Sequence, residues 1–152
     1  MALREIRTFD DTFLHKHSRP VAEVDDRIRT LLDDLAETMY HTQHGGGLAA
    51  CQVGVLRRVI VADMGSGLLK LVNPHITFAE GEQLVVEGCL SYPGRWAHVQ
   101  RPQTVRVEAL DENGVPVSLE ATNALAKCLC HEIDHLDGVV LADRAIDYVS
   151  LP

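Results

Sequence analysis

No stretch of this 152-residue chain approaches the ~18 consecutive apolar residues of a membrane-crossing helix. Its opening, "MALREIRTFDDTF", alternates charged and apolar residues and lacks the apolar centre of a signal peptide, so the cytosol is the expected compartment. No run of Lys or Arg forms a basic stripe, and 14 basic against 22 acidic residues give a net charge of −8. Neutralising phosphates requires clustered cations, so a nucleic-acid-binding module is not expected. Four cysteines, Cys51, Cys89, Cys128 and Cys130, are too few and too unevenly spaced for a secreted disulfide framework. Reduced thiols, at least one available as a ligand, fit better. Repeats, linkers and low-complexity segments are missing too. What is present, 46% hydrophobic and 24% charged residues, suits a single domain over residues 1–152 with a substantial core.

Residues 24–40, "VDDRIRTLLDDLAETMY", place Val24, Ile28, Leu31, Leu32, Leu35 and Met39 at helical spacing, with Asp33, Asp34 and Glu37 on the other side. Three glycines in "HTQHGGGLAACQVG" stop that helix. "RRVIVAD" and "LLKLVNPHI" read as short strands, and two extended segments flank Glu80-Gly81-Glu82. Asn113-Gly114 sits inside a clean alternation and signals a hairpin. "TNALAKCLCHEIDHLDG" reads as a helix with Thr122 or Asn123 as N-cap. Leu125, Leu129, Ile133 and Leu136 form its apolar stripe, and Gly138 lies where a left-handed C-terminal residue is wanted. A short extended tail follows. The expected fold is α+β: short antiparallel strands around a C-terminal metal-binding helix, with an N-terminal amphipathic helix.

That C-terminal helix carries His131-Glu132-x-x-His135. Residues four apart share a helix face, so both imidazoles can reach one cation while Glu132 stands close enough to serve a bound water. A catalytic site of this type takes a third protein ligand. A histidine six residues after the second would supply it in one class of peptidase, but Leu141 stands there. The 17 residues after His135 leave no room for a second long helix bearing a glutamate. The third ligand is therefore expected upstream, and Cys89 in "EGCLSYPG" is the best candidate. There Gly88 permits close backbone approach, and Pro93 and Gly94 end the segment. A small buried hydrophobe is the alternative role for Cys89. Cys128 and Cys130 lie on the metal helix and suit core packing, Cys130 pointing away from the two histidines. Small residues from Gly45 to Gly54 are expected to let another backbone come close, with Gln52 offering an amide donor; a flexible connector is the plainer reading.

Taken together, "GGGLAACQVG", "EGCLS" and "HEIDHLDG", in this order, closely resemble the three signature motifs of peptide deformylases. "REIRTFDDTFLHKHSRPV", "ETMY" and "LVNP" extend the likeness along nearly the whole chain. The resemblance implies removal of the formyl group from N-formylmethionyl polypeptides, releasing formate. It implies one divalent ion on Cys89, His131 and His135, typically Fe(II), with Zn, Ni or Co able to occupy the site. Glu132 would be the general base and then the acid, while Gln52 and the backbone N–H of Leu90 stabilise the oxyanion. Gly45, Gly46, Gly47 and Gly88 would line the substrate's path, bordered by Arg95, Trp96 and Cys128. Cys130 stands where many members have glutamine, which bears on metal tuning, and Trp96 where many have arginine, which bears on side-chain preference. The chain stops at Pro152, so ribosome docking through a longer C-terminal helix is not expected; a monomer meeting nascent chains is.

Other residues and readings carry less. His15, His17, His41, His44, His75 and His98 share no ligand pattern and read as solvated side chains. Ser91 has no base near it in sequence, which disfavours a serine nucleophile. A metal hydrolase acting on another N-acyl amine is one rival reading. A structural metal site with a fourth protein ligand is the other, and Glu132 would then have no task.

Overall fold

The computed structural model describes residues 2–8, 11–42 and 46–150. The amphipathic segment forms α1 (Asp26–His41), started by Asp25, whose side chain accepts a hydrogen bond from the Ile28 N–H. Asp34 departs from the expected solvent face. It is buried, because the N-terminal strand of chain crosses it: the Ala2 N–H donates to Asp34 Oδ1 at 2.8 Å and Arg4 pairs with Oδ2 at 2.8 Å.

A five-stranded sheet runs β1 (Gly47–Ala49), β2 (Val59–Ala62), β3 (Leu69–Glu80), β6 (Thr104–Leu110), β7 (Pro116–Thr122), all antiparallel. A second sheet holds β4 (Gln83–Cys89), β5 (Tyr92–Arg101) and β8 (Asp147–Val149). The Asn113-Gly114 signal is the turn between β6 and β7, whose register runs from Thr104↔Thr122 to Leu110↔Pro116. β5 was not legible in the sequence: Pro93 and Gly94, expected to end the segment, instead lie at the start of this strand. The segments flanking Gly81 belong to different sheets, β3 pairing with β6 and β4 with β5.

The continuous apolar run of β2 follows from helices on both faces of its sheet. Val59 and Val61 pack with Leu32, Leu35 and Met39 of α1, and Ile60 and Ala62 pack against α2 (Asn123–Leu136). From α2, Leu129, Ile133 and Leu136 enter that core. Truncating one such leucine to alanine costs about 2–5 kcal/mol. Thr122 occupies the N-cap without a side-chain bond, and Asn123 adopts φ 55°. Gly138 takes the expected left-handed conformation at φ 75°, where a Cβ would meet the His15 carbonyl oxygen at 2.5 Å. The tail is not simply extended. It folds into the short helix α3 (Leu141–Arg144) and then β8, joining Leu14, Tyr92, Ala97 and Val99 in a third apolar cluster. Among the described residues no helix is long and apolar enough to cross a membrane.

Candidate metal centre and active site

Helix α2 presents His131 and His135 one turn apart, both buried, with their Nε2 atoms 3.2 Å from each other. Cys89 arrives at the end of β4, where the β4–β5 register jumps from Gly88↔Trp96 to Cys89↔Tyr92. Such an irregularity re-aims a side chain, and the Cys89 Sγ stands 3.4 Å from His135 Nε2. The three ligand atoms lie within 4.8 Å of one another. Cys89 is thus the upstream residue that joins the two histidines; Cys128 and Cys130 do not.

The donor set suits a divalent transition ion. His131 keeps Nδ1 2.8 Å from Glu87 Oε1, so donating that proton turns its Nε2 lone pair toward the cluster. Burial, reinforced by the charge on His131, holds the His135 ring well below its usual pKa, so it stays neutral with a lone pair to offer. Burial alone would depress His131 as well, but Cys89 and Glu132 nearby raise it well above the ordinary value. A cation would occupy the electrostatic position of that proton. One sulfur and two nitrogens, with no fourth ligating side chain joining them among the described residues, match an open rather than a closed site.

Behind His131 lies a buried ion network that sequence reasoning missed. Arg101 donates to both oxygens of Glu87, at 2.6 and 2.9 Å, and to Asp134 Oδ2 at 2.7 Å; Arg144 reaches Asp134 at 3.1 Å. Burial pushes the Glu87 carboxyl up, yet the bonds from Arg101 and His131 outweigh it and hold it at about 2. The signal for Glu87 was its place directly before Gly88-Cys89. Arg101 gave none: its strand partner is Gln83, and only its long side chain reaches Glu87, which pairs with Ala97.

Glu132 is buried, with Oε1 lacking any hydrogen-bond partner. Burial raises its carboxyl to about 7, the range in which a carboxylate can both accept and return a proton at neutral pH. The glycine stretch forms β1 and a short 3₁₀ turn (Ala50–Val53), and within the protein itself side chains stand closest to its described glycines. A Cβ on Gly47 would lie 2.7 Å from Glu132 Oε2 and 2.9 Å from Cys128 Sγ; one on Gly46 would strike Met64 Sδ at 2.5 Å. Gly45 and His44 lie outside the described residues.

Gln52, 1% exposed, is fixed at both ends of its amide. Oε1 accepts from the Ala49 N–H at 2.9 Å, and Nε2 donates to Ser91 Oγ at 3.0 Å, 3.6 Å from Cys89 Sγ. Ser91 therefore orients Gln52, a role its sequence position did not announce. Gly88 also differs from expectation: the ring of Trp96, across the hairpin, fills the space a Cβ would take, 2.6 Å away. Trp96, Leu90, Arg95 and Cys128 all border a cavity of about 340 Å³ that reaches Glu132 and His131. Arg95 is exposed, its guanidinium 5.6 Å above the Tyr148 ring. Cys128 both packs in the core and donates to the Gly46 carbonyl at 3.3 Å, and Cys130 is buried beside Leu129 and Ile133. His41 and His75, on exposed ground, take no part in the cluster.

The family model described as Polypeptide deformylase matches residues 3–149. Peptide deformylase 2 of Clostridium acetobutylicum is 51% identical over 150 residues, 99% of this chain and 100% of that protein. The peptide deformylase of Acetivibrio thermocellus is 53% identical over 150 residues, 99% of this chain and 88% of its own length. Among solved structures, peptide deformylase from Thermotoga maritima superposes with a TM-score of 0.93 at 34% identity, covering 97% of this chain and 100% of that one. The Synechococcus elongatus peptide deformylase in complex with actinonin gives 0.91 at 39% identity, covering 95% and 79%.

Proposed function

Since this chain belongs to the peptide deformylase family, we propose that Cys89, His131 and His135 hold its catalytic cation and that Glu132 moves the proton. The enzyme is a metal-dependent hydrolase that removes the N-formyl group from newly made polypeptides. The native ion proposed is Fe(II), with Zn, Ni or Co able to take its place; a thiolate ligand beside Fe(II) suits a reducing cytosol. Bound there, the ion supplies Lewis-acid polarisation and a water of lowered pKa.

The unpartnered Glu132 Oε1 is the observation that carries this reading, because a buried carboxylate oxygen without a donor awaits one from water or substrate. Glu132 takes a proton from the attacking water as its oxygen bonds to the formyl carbon. The same carboxyl returns the proton to the departing nitrogen as the C–N bond breaks, leaving formate and a free amine. Gln52 Nε2 and the Leu90 N–H face the oxygen on which negative charge develops. One such donor is worth ~3–4 kcal/mol of barrier. Ser91 and Ala49 keep the Gln52 amide in the donating orientation.

β1 and β4 are each the edge of their sheet, and Gly46, Gly47 and Gly88 line the cavity from those edges. The peptide lies extended between them, its first side chain over Cys128 and its path bounded by Trp96 and Arg95; Gly45 belongs to the same path. Because the formyl group is the smallest acyl group, a site this tightly walled by glycine admits it and rejects acetyl. A structural metal is disfavoured by the three-ligand set and by Glu132, which would have no task. The enzyme is a cytosolic monomer that meets nascent chains.

The test is formate release from formyl-Met-Ala-Ser by protein purified anaerobically with Fe(II), beside acetyl-Met-Ala-Ser. Formate from the first and no cleavage of the second is the expected result. Inactivity on both, with one metal per chain confirmed, would overturn it.

A further inference from the structure

We propose that Lys127 gives this active site a preference for an acidic side chain at the second residue after the formylmethionine. The inference rests on the function proposed above. Lys127 precedes His131 by four residues and His135 by eight, so α2 carries all three on one face. The His131 imidazole lines the cavity, and Lys127, one turn earlier on α2, lines it as well. Among the described residues its ammonium has one polar contact, a 3.5 Å approach to the Val86 carbonyl, and no carboxylate pairs with it. The carboxylates bordering this cavity, Glu87 and Glu132, are 2% and 4% exposed, and Glu87 is engaged by Arg101. The accessible charge along the cavity wall is thus cationic, Lys127 with Arg95, in a chain of net charge −8.

Position along the edge strand sets which substrate residue Lys127 meets. With the formyl group at Cys89, a peptide running antiparallel to β4 passes Gly88 and Glu87 and then comes alongside Val86, where Lys127 sits. From Gly88 to Val86 is two residues, roughly 6–7 Å of strand, and the same step separates alternate side chains of the peptide. Those alternate side chains share a face. The formylmethionine and the residue two further on therefore point toward α2, and the residue between them points away. A carboxylate on that later residue meets a partly shielded ammonium that lacks a counter-ion.

The experiment compares kcat/KM for C-terminally amidated formyl-Met-Ala-Asp and formyl-Met-Ala-Asn, which differ in charge at nearly constant shape. The expected result is about threefold or more in favour of Asp at low ionic strength, the scale of one partly exposed ion pair, shrinking as salt rises. Lys127→Met erases the difference and Lys127→Arg keeps it. Moving the pair to formyl-Met-Asp-Ala and formyl-Met-Asn-Ala amides reduces it. Equal rates for Asp and Asn, or a preference that survives Lys127→Met, would overturn the proposal. So would a gain seen only with a free C-terminal carboxylate, for which formyl-Met-Ala-Asn acid is run beside its amide. Formyl-Met-Ala-Ser is the reference: if it too releases no formate, the deformylase reading itself has failed, not the role of Lys127.

Discussion

Gly47 and Glu132 compete for one space: a Cβ on residue 47 would stand 2.7 Å from Glu132 Oε2 and 2.8 Å from its Cγ. Backbone on the β1 side and the carboxylate proposed to transfer the proton, on α2, are fitted to each other without room for a methyl group. Gly47→Ala should therefore displace Glu132 by some tenths of an ångström or more. Since a misplacement of about 1 Å can cost ~10²-fold in rate, kcat/KM on formyl-Met-Ala-Ser should fall by up to about that factor. Metal content, measured on the same preparation, should be unchanged, because the atoms nearest that Cβ belong to Glu132 and Cys128, not to Cys89, His131 or His135.

Glu132→Gln keeps the size of the side chain but removes its basicity. General acid–base catalysis contributes ~10²–10⁴-fold, so kcat should drop by that range while the protein still binds one ion per chain. Retained activity would assign the proton transfer to another group.

The Glu87 carboxylate joins His131 to Arg101, and both are held by it. Glu87→Gln keeps an acceptor for His131 but loses the full charge that orients and polarises the ring. Partners of this kind are worth ~10–100-fold in metal affinity, and competition against a chromophoric chelator should show a weakening in that range. Arg101→Met acts differently: it leaves Glu87 with His131 alone and Asp134 with Arg144 alone, and breaking a buried pair typically costs ~3–5 kcal/mol. Its main effect should be a lower denaturant midpoint, read by urea unfolding of metal-loaded protein.

The legible parts of this molecule were those written in local spacing. His131-Glu132-x-x-His135, the α1 stripe, the Asn113-Gly114 turn and the left-handed Gly138 each depend on residues a few positions apart, where period and φ preference act directly. Cys89 was reachable by eliminating the alternatives downstream. Arg101 and Ser91 were not, because their partners Glu87 and Gln52 are met only through side chains in the folded core. Arg101 pairs with Gln83 in the hairpin and reaches along it to Glu87, and Gln52 lies 39 residues before Ser91. Asp34 reads as an exposed acid on a helix, and only the arrival of Arg4, 30 residues earlier in the chain, makes it a buried one. The glycines were recognised as making room, but sequence could not say that the neighbours would be Glu132, Met64 and Trp96 side chains.

Removing the cation should loosen the whole fold, not only silence the reaction. Its proposed ligands come from two separate elements: Cys89 ends β4 in the three-stranded sheet, while His131 and His135 lie on α2 against the five-stranded one. An ion held by all three ties those two layers together in the native state and loses that arrangement on unfolding. A ligand present at 100 times its dissociation constant stabilises by ~2.7 kcal/mol. For a chain of this size each kcal/mol moves the midpoint by ~2–4 °C, so chelated protein should melt about 5–10 °C below the metal-loaded form. Cys89→Ala should melt near the chelated value and gain little from added metal. Glu132→Gln should respond to metal as the parent does, since its carboxyl is not a ligand. Equal midpoints for the loaded and chelated parent would mean that the three side chains hold no ion tightly, and would remove the basis for the proposed centre.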